Sequence, residues 1–387
     1  MQSIVIVGTG AAGYAVGEGL HTAGFKGRVT FVGEETGEPY DRPPLSKEVL
    51  SGAWDRERAA LIAAKRAAPL GPEVITGVRA ASLDVDGHRV ELSDGRSLAY
   101  DALVVATGVK PRRIPHPDLP NIHVLRTMDD SLALRARLVG NPRLLIVGGG
   151  FLGLEVAATA RQLGATVTVV EPIPGAPLAS RIGVVAATKL NEVHSANGVQ
   201  IRTGIGVADL AAGDGDAVRA TLSDESTVEA DVVLIAVGSV TATDWLTESG
   251  LTLDNGVVCD EYCRAGADVW AAGDVASWYH SGYDQRLRLE HRTNAQEQGL
   301  AVARNILGAA EPFRPVPYFW TYQYDARIQM HGHIVEIENN EIVEGALADE
   351  KFVETFSHAG RVTAVLGWNS ARSMAGHRKQ LLDAMSS

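Results

Sequence analysis

Apolar residues are concentrated in short continuous runs, and several of these runs precede a longer stretch with helical spacing. The runs are rich in β-branched residues and cover positions 4–7, 29–32, 103–106, 144–147, 167–170, 232–237 and 269–272. Such runs are typical of strands that are buried on both faces of a parallel sheet. Helix-compatible stretches follow several of them, for example at 11–23 and 152–163. The order strand, turn, helix and strand therefore occurs twice, which predicts two Rossmann-like units.

The pattern changes after about position 311. An aromatic-rich segment at 313–324 is followed by three short alternating runs at 334–337, 341–346 and 362–368, and then by a helical pattern at 373–384. Alternation of apolar and polar residues indicates strands with one buried face. We therefore predict an α/β protein with two Rossmann-like dinucleotide-binding domains plus a small α+β C-terminal domain.

The composition is that of an acidic globular protein with more than one domain. The chain has 387 residues, with 35 Lys and Arg against 47 Asp and Glu, which gives a net charge of -12. This charge repels nucleic acid and anionic lipid. No apolar stretch is long enough to span a bilayer, and the first apolar run lacks the basic flank of a signal peptide. We expect a cytoplasmic protein that binds neither nucleic acid nor membranes.

The two cysteines, Cys259 and Cys263, are four positions apart and have no histidine nearby. This spacing matches neither a zinc site nor a C-x-x-C redox pair. We expect both cysteines to be packing residues, and we expect no metal site.

The first predicted turn has a glycine pattern typical of dinucleotide binding. Positions 8–13 match G-x-G-x-x-G directly after a strand, and an acidic residue closes the next strand. In this arrangement the glycines allow a tight turn and close approach of the pyrophosphate, and the acid accepts hydrogen bonds from ribose hydroxyls. The residues assigned to this site are Gly8, Gly10, Ala12, Gly13, Glu34 and Glu35.

Positions 148–153 repeat the glycine pattern, so a second dinucleotide is predicted. A carboxylate at Glu171, which ends the following strand, suits a ribose diol and repels a 2′-phosphate, so NADH is favoured over NADPH. Two alternatives stay open: Glu171 could cap its strand toward solvent, and Arg181 is close enough in sequence to reach a phosphate. The residues assigned to this site are Gly148, Gly150, Phe151, Leu152, Gly153 and Glu171.

Further motifs narrow the interpretation. They are Ala106-Thr107-Gly108 and Ala272-Gly273-Asp274, each after a predicted strand, the segments 39–47 (PYDRPPLSK) and 319–323 (FWTYQ), and Gly153-Leu154-Glu155. With these motifs the chain resembles the two-dinucleotide flavoprotein reductases of the glutathione reductase superfamily. Within that superfamily it is similar to the FAD-dependent, oxygenase-coupled NADH–ferredoxin reductases. Residues 37–52 contain no cysteine, unlike the disulfide reductases of the superfamily.

The resemblance implies a domain order and an electron path. Residues 1–107 and 231–311 would form the two parts of an FAD-binding domain, 108–230 an NAD-binding domain, and 312–387 a C-terminal interface domain. Hydride would pass from NADH to FAD, and single electrons would pass to a [2Fe-2S] ferredoxin that serves a cytochrome P450 or a ring-hydroxylating oxygenase. The oligomeric state stays open between a monomer and a homodimer.

The resemblance also implies roles for particular residues. Lys47 would approach flavin N5 and pair with Glu155, and Trp320 would lie beside the flavin. Glu290 would lie near the nicotinamide, and Gly238 would border the nicotinamide pocket. The other residues implied to contact the cofactors are Arg42, Val78, Ala106, Thr107, Gly108, Arg126, Gly273, Asp274, His291 and Arg292. Two residues depart from the usual pattern, namely Tyr322 in place of an acidic residue and Thr241 in place of a proline.

Two other functions stay open at this point. One is a direct NADH-dependent reductase or oxidase of a small acceptor, and the other is a redox-sensing flavoprotein that resembles apoptosis-inducing factor. A ferredoxin is commonly acidic, so a ferredoxin reductase with this net charge needs a local basic face. The candidate residues for that face are Arg304, Arg314, Arg378 and Lys379.

Overall fold

A computed structural model describes residues 1–386, and within it the chain forms two compact units. Unit 1 consists of Met1–Asp41, Ala60–Lys110 and Val240–Pro315. Unit 2 consists of Arg42–Ala59, Pro111–Ser239 and the chain from Val316 onward. The short segment 42–59 therefore packs with unit 2, although the residues on either side of it in sequence belong to unit 1.

The secondary structure comprises many short strands and a smaller number of helices. The strands are β1 (Ser3–Val7), β2 (Arg28–Gly33), β3 (Glu73–Thr76), β4 (Ala80–Asp84), β5 (Arg89–Leu92), β6 (Ser97–Ala99), β7 (Ala102–Val105), β8 (Val109–Pro111), β9 (Ile122–His123), β10 (Arg143–Val147), β11 (Thr166–Glu171), β12 (Gln200–Thr203), β13 (Val207–Ala212), β14 (Val218–Leu222), β15 (Thr227–Ala230), β16 (Val232–Ile235), β17 (Ser239–Thr241), β18 (Val257–Cys259), β19 (Val269–Ala271), β20 (Ala276–His280), β21 (Gln285–Leu287), β22 (Tyr318–Gln323), β23 (Ala326–Gly332), β24 (Asn339–Ala346), β25 (Lys351–His358) and β26 (Arg361–Trp368). The α-helices are α1 (Ala11–Thr22), α2 (Glu48–Ser51), α3 (Ile62–Ala67), α4 (Met128–Arg137), α5 (Phe151–Gln162), α6 (Ala179–Ile182), α7 (Val184–Ala196), α8 (Arg292–Ile306) and α9 (Ala371–Ser386).

Unit 1 is built around a parallel sheet with the order β19-β7-β1-β2-β3. The central strand β1 is almost fully buried because it has a strand on each side, α1 packs on it where Gly13 meets Ile6, and β6 of a second sheet also contacts it. Helices α1 and α8 approach closely, since a Cβ atom added at Gly299 would lie 2.6 Å from the Ala12 carbonyl oxygen. Two three-stranded sheets, β4-β5-β6 and β18-β20-β21, complete the unit.

Unit 2 contains a second parallel sheet, with the order β12-β11-β10-β16-β9. The strand β10 takes the central position that β1 takes in unit 1, and α5 follows it as α1 follows β1. An antiparallel sheet, β13-β14-β15, packs against this sheet through residues that include Leu210 and Val218. The repeat that the sequence predicts is therefore present as two equivalent sheets.

The last part of unit 2 is an antiparallel sheet with the order β22-β23-β26-β25-β24. One face packs on α6 and α7 through Phe352, Phe356 and Trp368. The other face is covered by α9, where Met374 and Leu381 contact Val353 and Val365. The strand β22 lies at one edge of this sheet, a position that matters for the site described below.

The predicted α/β fold is confirmed, and most predicted strands agree with the structure within one or two residues. The strand predicted at 334–337 is wrong. The sheet edge is formed by β24, which begins only at Asn339, and Val335 and Ile337 remain exposed. The alternation of apolar and polar residues at 334–337 is therefore not used to pair with a neighbouring strand.

Across residues 1–386, no helix is both long enough and apolar enough to cross a membrane.

Candidate functional site

The glycine loop of unit 1 connects β1 to α1 and depends on the absence of side chains. Gly8 has a φ of +125°, a conformation that residues with a Cβ atom rarely adopt. A Cβ atom at Gly8 would lie 2.1 Å from the Ala106 carbonyl oxygen, and one at Gly13 would lie 2.0 Å from the Gly8 carbonyl oxygen. Both the turn and the packing of α1 against β1 therefore require glycine.

The glycine loop of unit 2 has the same geometry. Gly148 has a φ of +110°, and a Cβ atom there would lie 2.4 Å from the Ala236 carbonyl oxygen. A Cβ atom at Gly153 would lie 2.2 Å from the Gly148 carbonyl oxygen. Phe151 and Leu152 form the first turn of α5, directly after this loop.

The middle glycine of each loop is not required by the protein itself. Gly10 (φ −94°, ψ −166°) and Gly150 (φ −70°, ψ 178°) have extended backbones that any residue adopts. Within the described part of the chain, a Cβ atom at either position would meet no atom within 4 Å apart from its own chain neighbours. Each of these glycines precedes a helix N-terminus, where backbone N–H groups lack partners within the helix. The close approach of a pyrophosphate to the loop accounts for both glycines, so the residues present fit a dinucleotide.

Parallel strands bring the other predicted residues to the same sheet edge as each loop. In unit 1, the residues that follow β1, β2, β7 and β19 include Gly8, Glu34, Thr107 and Asp274. Ligands of such sheets bind at the carboxyl ends of the strands. Gly273 has a φ of +80°, and its Cβ atom would lie 2.8 Å from Ala12 Cβ. The chain segment that carries Asp274 is therefore beside the first glycine loop.

In unit 2, the same edge holds Gly148 after β10, Glu171 at the end of β11 and Gly238 after β16. The Glu171 carboxylate accepts hydrogen bonds from the Gly149 N–H (2.8 Å) and the Ile173 N–H (3.0 Å). These contacts hold the carboxylate against the glycine loop. Gly238 has a φ of +89°, and a Cβ atom there would meet no other described residue within 4 Å apart from its chain neighbours.

The acids of the first loop are held differently. Glu34 is exposed, and its carboxylate lies 3.9 Å from Nε of Arg79. Glu35 is half-buried and accepts a hydrogen bond from the Tyr40 hydroxyl. The Val78 N–H donates to the Gly33 carbonyl (3.1 Å), so a contact from Val78 to an adenine would use its carbonyl oxygen.

The predicted motif Ala106-Thr107-Gly108 forms the turn after β7. Gly108 has a φ of +69°, which favours glycine. The Thr107 hydroxyl donates to the Ala242 carbonyl (2.9 Å), within unit 1. The motif therefore ties the end of β7 to the start of the third segment of unit 1, Val240–Pro315.

Residues 288–292 of unit 1 form a charged cluster at the start of α8. Arg288 donates to the Asp274 carbonyl (3.1 Å) and to the Glu290 carboxylate (2.8 Å), so it links two predicted site residues. His291 is the N-cap of α8, and Arg292 is its first residue. The Arg292 guanidinium pairs with the carboxylate of Asp41. Arg288 was not among the residues assigned from sequence.

Lys47 and Glu155 form an ion pair within unit 2. Nζ of Lys47 lies 2.6 Å from Oε2 of Glu155, and the two side chains are only 15% and 11% exposed. The Ser46 hydroxyl donates to the same oxygen (2.6 Å), and the Thr321 hydroxyl donates to Oε1 (2.7 Å). The Glu155 carboxylate therefore receives three donors, one of them cationic, which offsets the cost of its burial.

The segment that carries Lys47 is held by further hydrogen bonds. The Ser131 hydroxyl of α4 donates to the Leu45 carbonyl (2.7 Å), and the Thr159 hydroxyl of α5 donates to the Ser46 carbonyl (2.8 Å). The guanidinium of Arg42 donates to the Arg126 carbonyl, directly before α4. Two helices thus fix the backbone on the N-terminal side of Lys47, which limits where its ammonium can lie.

Trp320 does not contact the ion pair. Successive side chains of a strand point to opposite faces, so Trp320 lies on the face of β22 away from Thr321. Its indole stacks on Tyr318 (centroids 5.9 Å apart), and Tyr318 stacks on His331 (4.6 Å). Burial and the nearby charge of Arg378 lower the pKa of His331 to about 4, so this imidazole is neutral at pH 7.

Both cysteines are free and buried in the core of unit 1. Burial raises the pKa of the Cys263 thiol to about 12. Because the thiolate is the reactive form of cysteine, thiol chemistry at this position is disfavoured at neutral pH.

Sequence reasoning missed Ser46, Thr159 and Thr321. Ser46 and Thr321 lie inside the motifs quoted above, and Thr159 is one helical turn after Glu155. That spacing places Thr159 on the same face of α5 as Glu155, which was the one available signal. The contact with Thr321 joins residues 166 positions apart and depends on the tertiary fold.

Comparison with known proteins gives consistent results over almost the whole chain. Residues 2–299 match the model of the pyridine nucleotide-disulphide oxidoreductase family, and residues 318–386 match the reductase C-terminal model. Rhodocoxin reductase of Rhodococcus erythropolis is 36% identical over 99% of this chain and 90% of the relative. The ferredoxin–NAD(+) reductase subunit of the benzene 1,2-dioxygenase system of Pseudomonas putida is 36% identical over 96% of this chain and 90% of the relative. The crystal structure of the covalent putidaredoxin reductase–putidaredoxin complex matches with a TM-score of 0.93 and 32% identity, over 99% of this chain and 93% of that one.

The two kinds of glycine in the first loop lead to a test that separates folding from binding. We expect Gly10→Ala to leave the thermal unfolding midpoint of the cofactor-free protein unchanged, because its Cβ atom enters open space. The same variant should retain less than about a tenth of the bound dinucleotide, since the methyl group occupies the space for the pyrophosphate. Gly13→Ala is the matched comparison and should lower the unfolding midpoint. A Gly10→Ala protein with full dinucleotide content would contradict the assignment.

Proposed function

Because the chain belongs to the pyridine nucleotide-disulphide oxidoreductase family and, within it, to the ferredoxin reductases, we propose that it transfers electrons from NADH through bound FAD to a [2Fe-2S] ferredoxin. The observation that carries the proposal is the presence of two dinucleotide cradles in one chain, each with an open middle glycine, Gly10 and Gly150. The ferredoxin would in turn serve a cytochrome P450 or a ring-hydroxylating oxygenase.

FAD is proposed to bind at the first glycine loop. When bound, it supplies the conversion between the two-electron chemistry of NADH and the one-electron chemistry of an iron–sulfur protein. The protein contributes the helix N-terminus behind Gly10, which favours the pyrophosphate, and carboxylates that accept from hydroxyl groups. The residues of unit 1 proposed for FAD are Gly8, Gly10, Ala12, Gly13, Glu34, Glu35, Val78, Ala106, Thr107, Gly108, Gly273, Asp274, His291 and Arg292.

NADH is proposed to bind at the second glycine loop. The Glu171 carboxylate is held beside this loop by two backbone N–H groups, which suits the hydroxyls of the adenosine ribose. The residues proposed for NADH are Gly148, Gly150, Phe151, Leu152, Gly153, Glu171 and Gly238, with Glu290 near the nicotinamide.

Lys47 is proposed to place a cation at the reacting edge of the flavin, with Arg42 and Arg126 as further cofactor residues. Glu155 holds the ammonium in one position, and the hydrogen bonds to the Leu45 and Ser46 carbonyls hold the backbone before it. A charge that is already in place costs no reorganisation when negative charge develops during the reaction. Glu155 would act through Lys47 and need not touch the substrate.

One face of β22 carries the aromatic residues Tyr318, Trp320 and Tyr322. We propose that electrons pass from the flavin to the ferredoxin across this aromatic face. Trp320 and Tyr318 stack on this face, and Tyr322, two residues after Trp320, is exposed to solvent. The Arg327 guanidinium lies 5.7 Å from the centre of the Tyr322 ring. Aromatic rings exclude water, and Arg327 adds a positive charge that suits an acidic ferredoxin. Of the basic candidates named from sequence, Arg304 is already paired with Glu311.

The test of this function is anaerobic mixing of the purified protein with NADH, followed by addition of an oxidised [2Fe-2S] ferredoxin and cytochrome c. We expect the flavin absorbance to bleach rapidly and cytochrome c reduction to depend on the ferredoxin. Reduction of small acceptors at the same rate without ferredoxin would instead support a direct reductase. A long-lived charge-transfer complex without turnover would support a redox sensor, and a protein without flavin would overturn the proposal.

The position of Glu171 predicts the nucleotide preference. We expect Glu171→Gln to reduce the ratio of kcat/KM for NADH over NADPH by about tenfold or more, because it removes a negative charge that repels a 2′-phosphate. The glutamine keeps one of the two oxygens that accept backbone hydrogen bonds, and an amide NH2 group replaces the other. Glu192→Gln, an exposed residue of α7, is the control and should not change the ratio. An unchanged ratio in Glu171→Gln would rule out the ribose assignment.

A further inference from the structure

A row of buried polar side chains extends from Glu155 into the interior of unit 2, on the side away from Lys47. The Thr321 hydroxyl donates to Oε1 of Glu155 (2.7 Å), and Nε2 of Gln323 donates to the Thr321 hydroxyl (3.0 Å). Oε1 of Gln323 lies 2.7 Å from Nε2 of His194 on α7. Thr321, Gln323 and His194 are 1%, 1% and 0% exposed. The row therefore connects the ion pair with the deep core without contact with water.

The direction of every hydrogen bond in this row follows from the donors available. The Gln323 amide nitrogen is used toward Thr321, so its oxygen faces His194 and must accept. His194 therefore carries a proton on Nε2, and burial, which lowers the pKa of this imidazole, disfavours a second proton on Nδ1. All donors in the row then point toward the Glu155 carboxylate, and hydrogen bonds aligned in this way strengthen one another.

Filling a core with polar side chains costs free energy of desolvation that apolar side chains do not cost. Buried polar groups are tolerated only when they are hydrogen-bonded, and apolar residues of the same volume would carry no such requirement. The cost is visible at His194, whose Nδ1 is buried and has no hydrogen-bond partner among residues 1–386. The residues are therefore better explained by what they do to Glu155 than by packing.

We propose that Thr321, Gln323 and His194 are positioning residues that fix the orientation of the Glu155 carboxylate and, through it, the position of the Lys47 ammonium. A carboxylate group is planar, so holding Oε1 at Thr321 determines the direction of Oε2, which contacts Lys47. Without the Thr321 hydroxyl, the carboxylate can rotate and Lys47 can follow it. This inference rests on the proposed function, in which Lys47 acts on the reaction of NADH with the flavin.

The first test measures flavin reduction by NADH in anaerobic stopped-flow experiments on the flavin-loaded protein. We expect Thr321→Val, which removes the hydroxyl at nearly constant volume, to lower the limiting rate of reduction about tenfold, as for the loss of one hydrogen bond to a charged group. The Kd for NADH should change less than about twofold. Thr321→Ser, which restores the hydroxyl, should recover most of the rate.

The matched control is Thr355→Val, on β25 of the same sheet. Thr355 is also buried, at 8% exposure, but it is not part of the row. We expect it to show the wild-type rate of reduction. If Thr321→Val fails to fold, as shown by its thermal unfolding, Gln323→Met replaces it. It should slow reduction in the same direction but by less, with an unchanged Kd, because Thr321 keeps its hydroxyl and loses only the donor that orients it.

A second measurement does not depend on turnover. In protein with 15N-labelled histidine, we expect the His194 ring to be the neutral tautomer protonated at Nε2. A His194 ring protonated at Nδ1, or one that takes up a second proton at neutral pH, would overturn the proposed direction of the row.

The outcomes separate this inference from the proposed function. If wild-type protein is not reduced by NADH, the proposed function fails, whereas the tautomer of His194 still tests the row. If wild-type protein is reduced rapidly and both Thr321→Val and Gln323→Met are reduced equally rapidly, the function stands and the positioning role is refuted.

Discussion

The candidate site depends on the ion pair between Lys47 and Glu155. Because both side chains are largely buried, removing one partner would leave an uncompensated charge, at a cost of about 3–5 kcal/mol. The pair also joins the short segment 42–59 to α5, the helix that begins at the second glycine loop. The residue proposed to act at the flavin is therefore held by the helix whose N-terminus is proposed to bind NADH.

The glycine loops that follow β1 and β10 have the same backbone geometry. In each, contacts with neighbouring backbone require the first and third glycines, whereas the middle glycine faces open space, where we propose that the dinucleotide binds. The units differ in the acid that follows the second strand. Glu171 is fixed by two N–H groups of its own loop region, whereas Glu34 is exposed beside Arg79.

Much of this arrangement could be predicted from the sequence because it is local. Within each unit, the first buried strand, the glycine loop and the acid after the second strand follow one another along the chain, from Ser3 to Glu34 and from Arg143 to Glu171. The family resemblance supplied the pairing of Lys47 with Glu155. The contacts of Glu155 with Thr321, and of Gln323 with His194, join residues 166 and 129 positions apart. Alternation along β22 shows that Thr321 and Gln323 share a face, but not that this face meets α5 and α7. The strand predicted at 334–337 is absent for the same reason. Whether a segment pairs as a strand depends on the neighbouring strands that the tertiary fold provides.

The most direct test of the account is a double-mutant cycle on the rate of flavin reduction by NADH, with Lys47→Met, Glu155→Gln and the double variant. If Glu155 acts by holding Lys47, each single variant is slow and the double variant is little slower than Lys47→Met alone. The two effects would then differ from additivity by more than about 1 kcal/mol. Effects that add within about 0.5 kcal/mol would mean that the two residues act independently, which would contradict the central role of the ion pair.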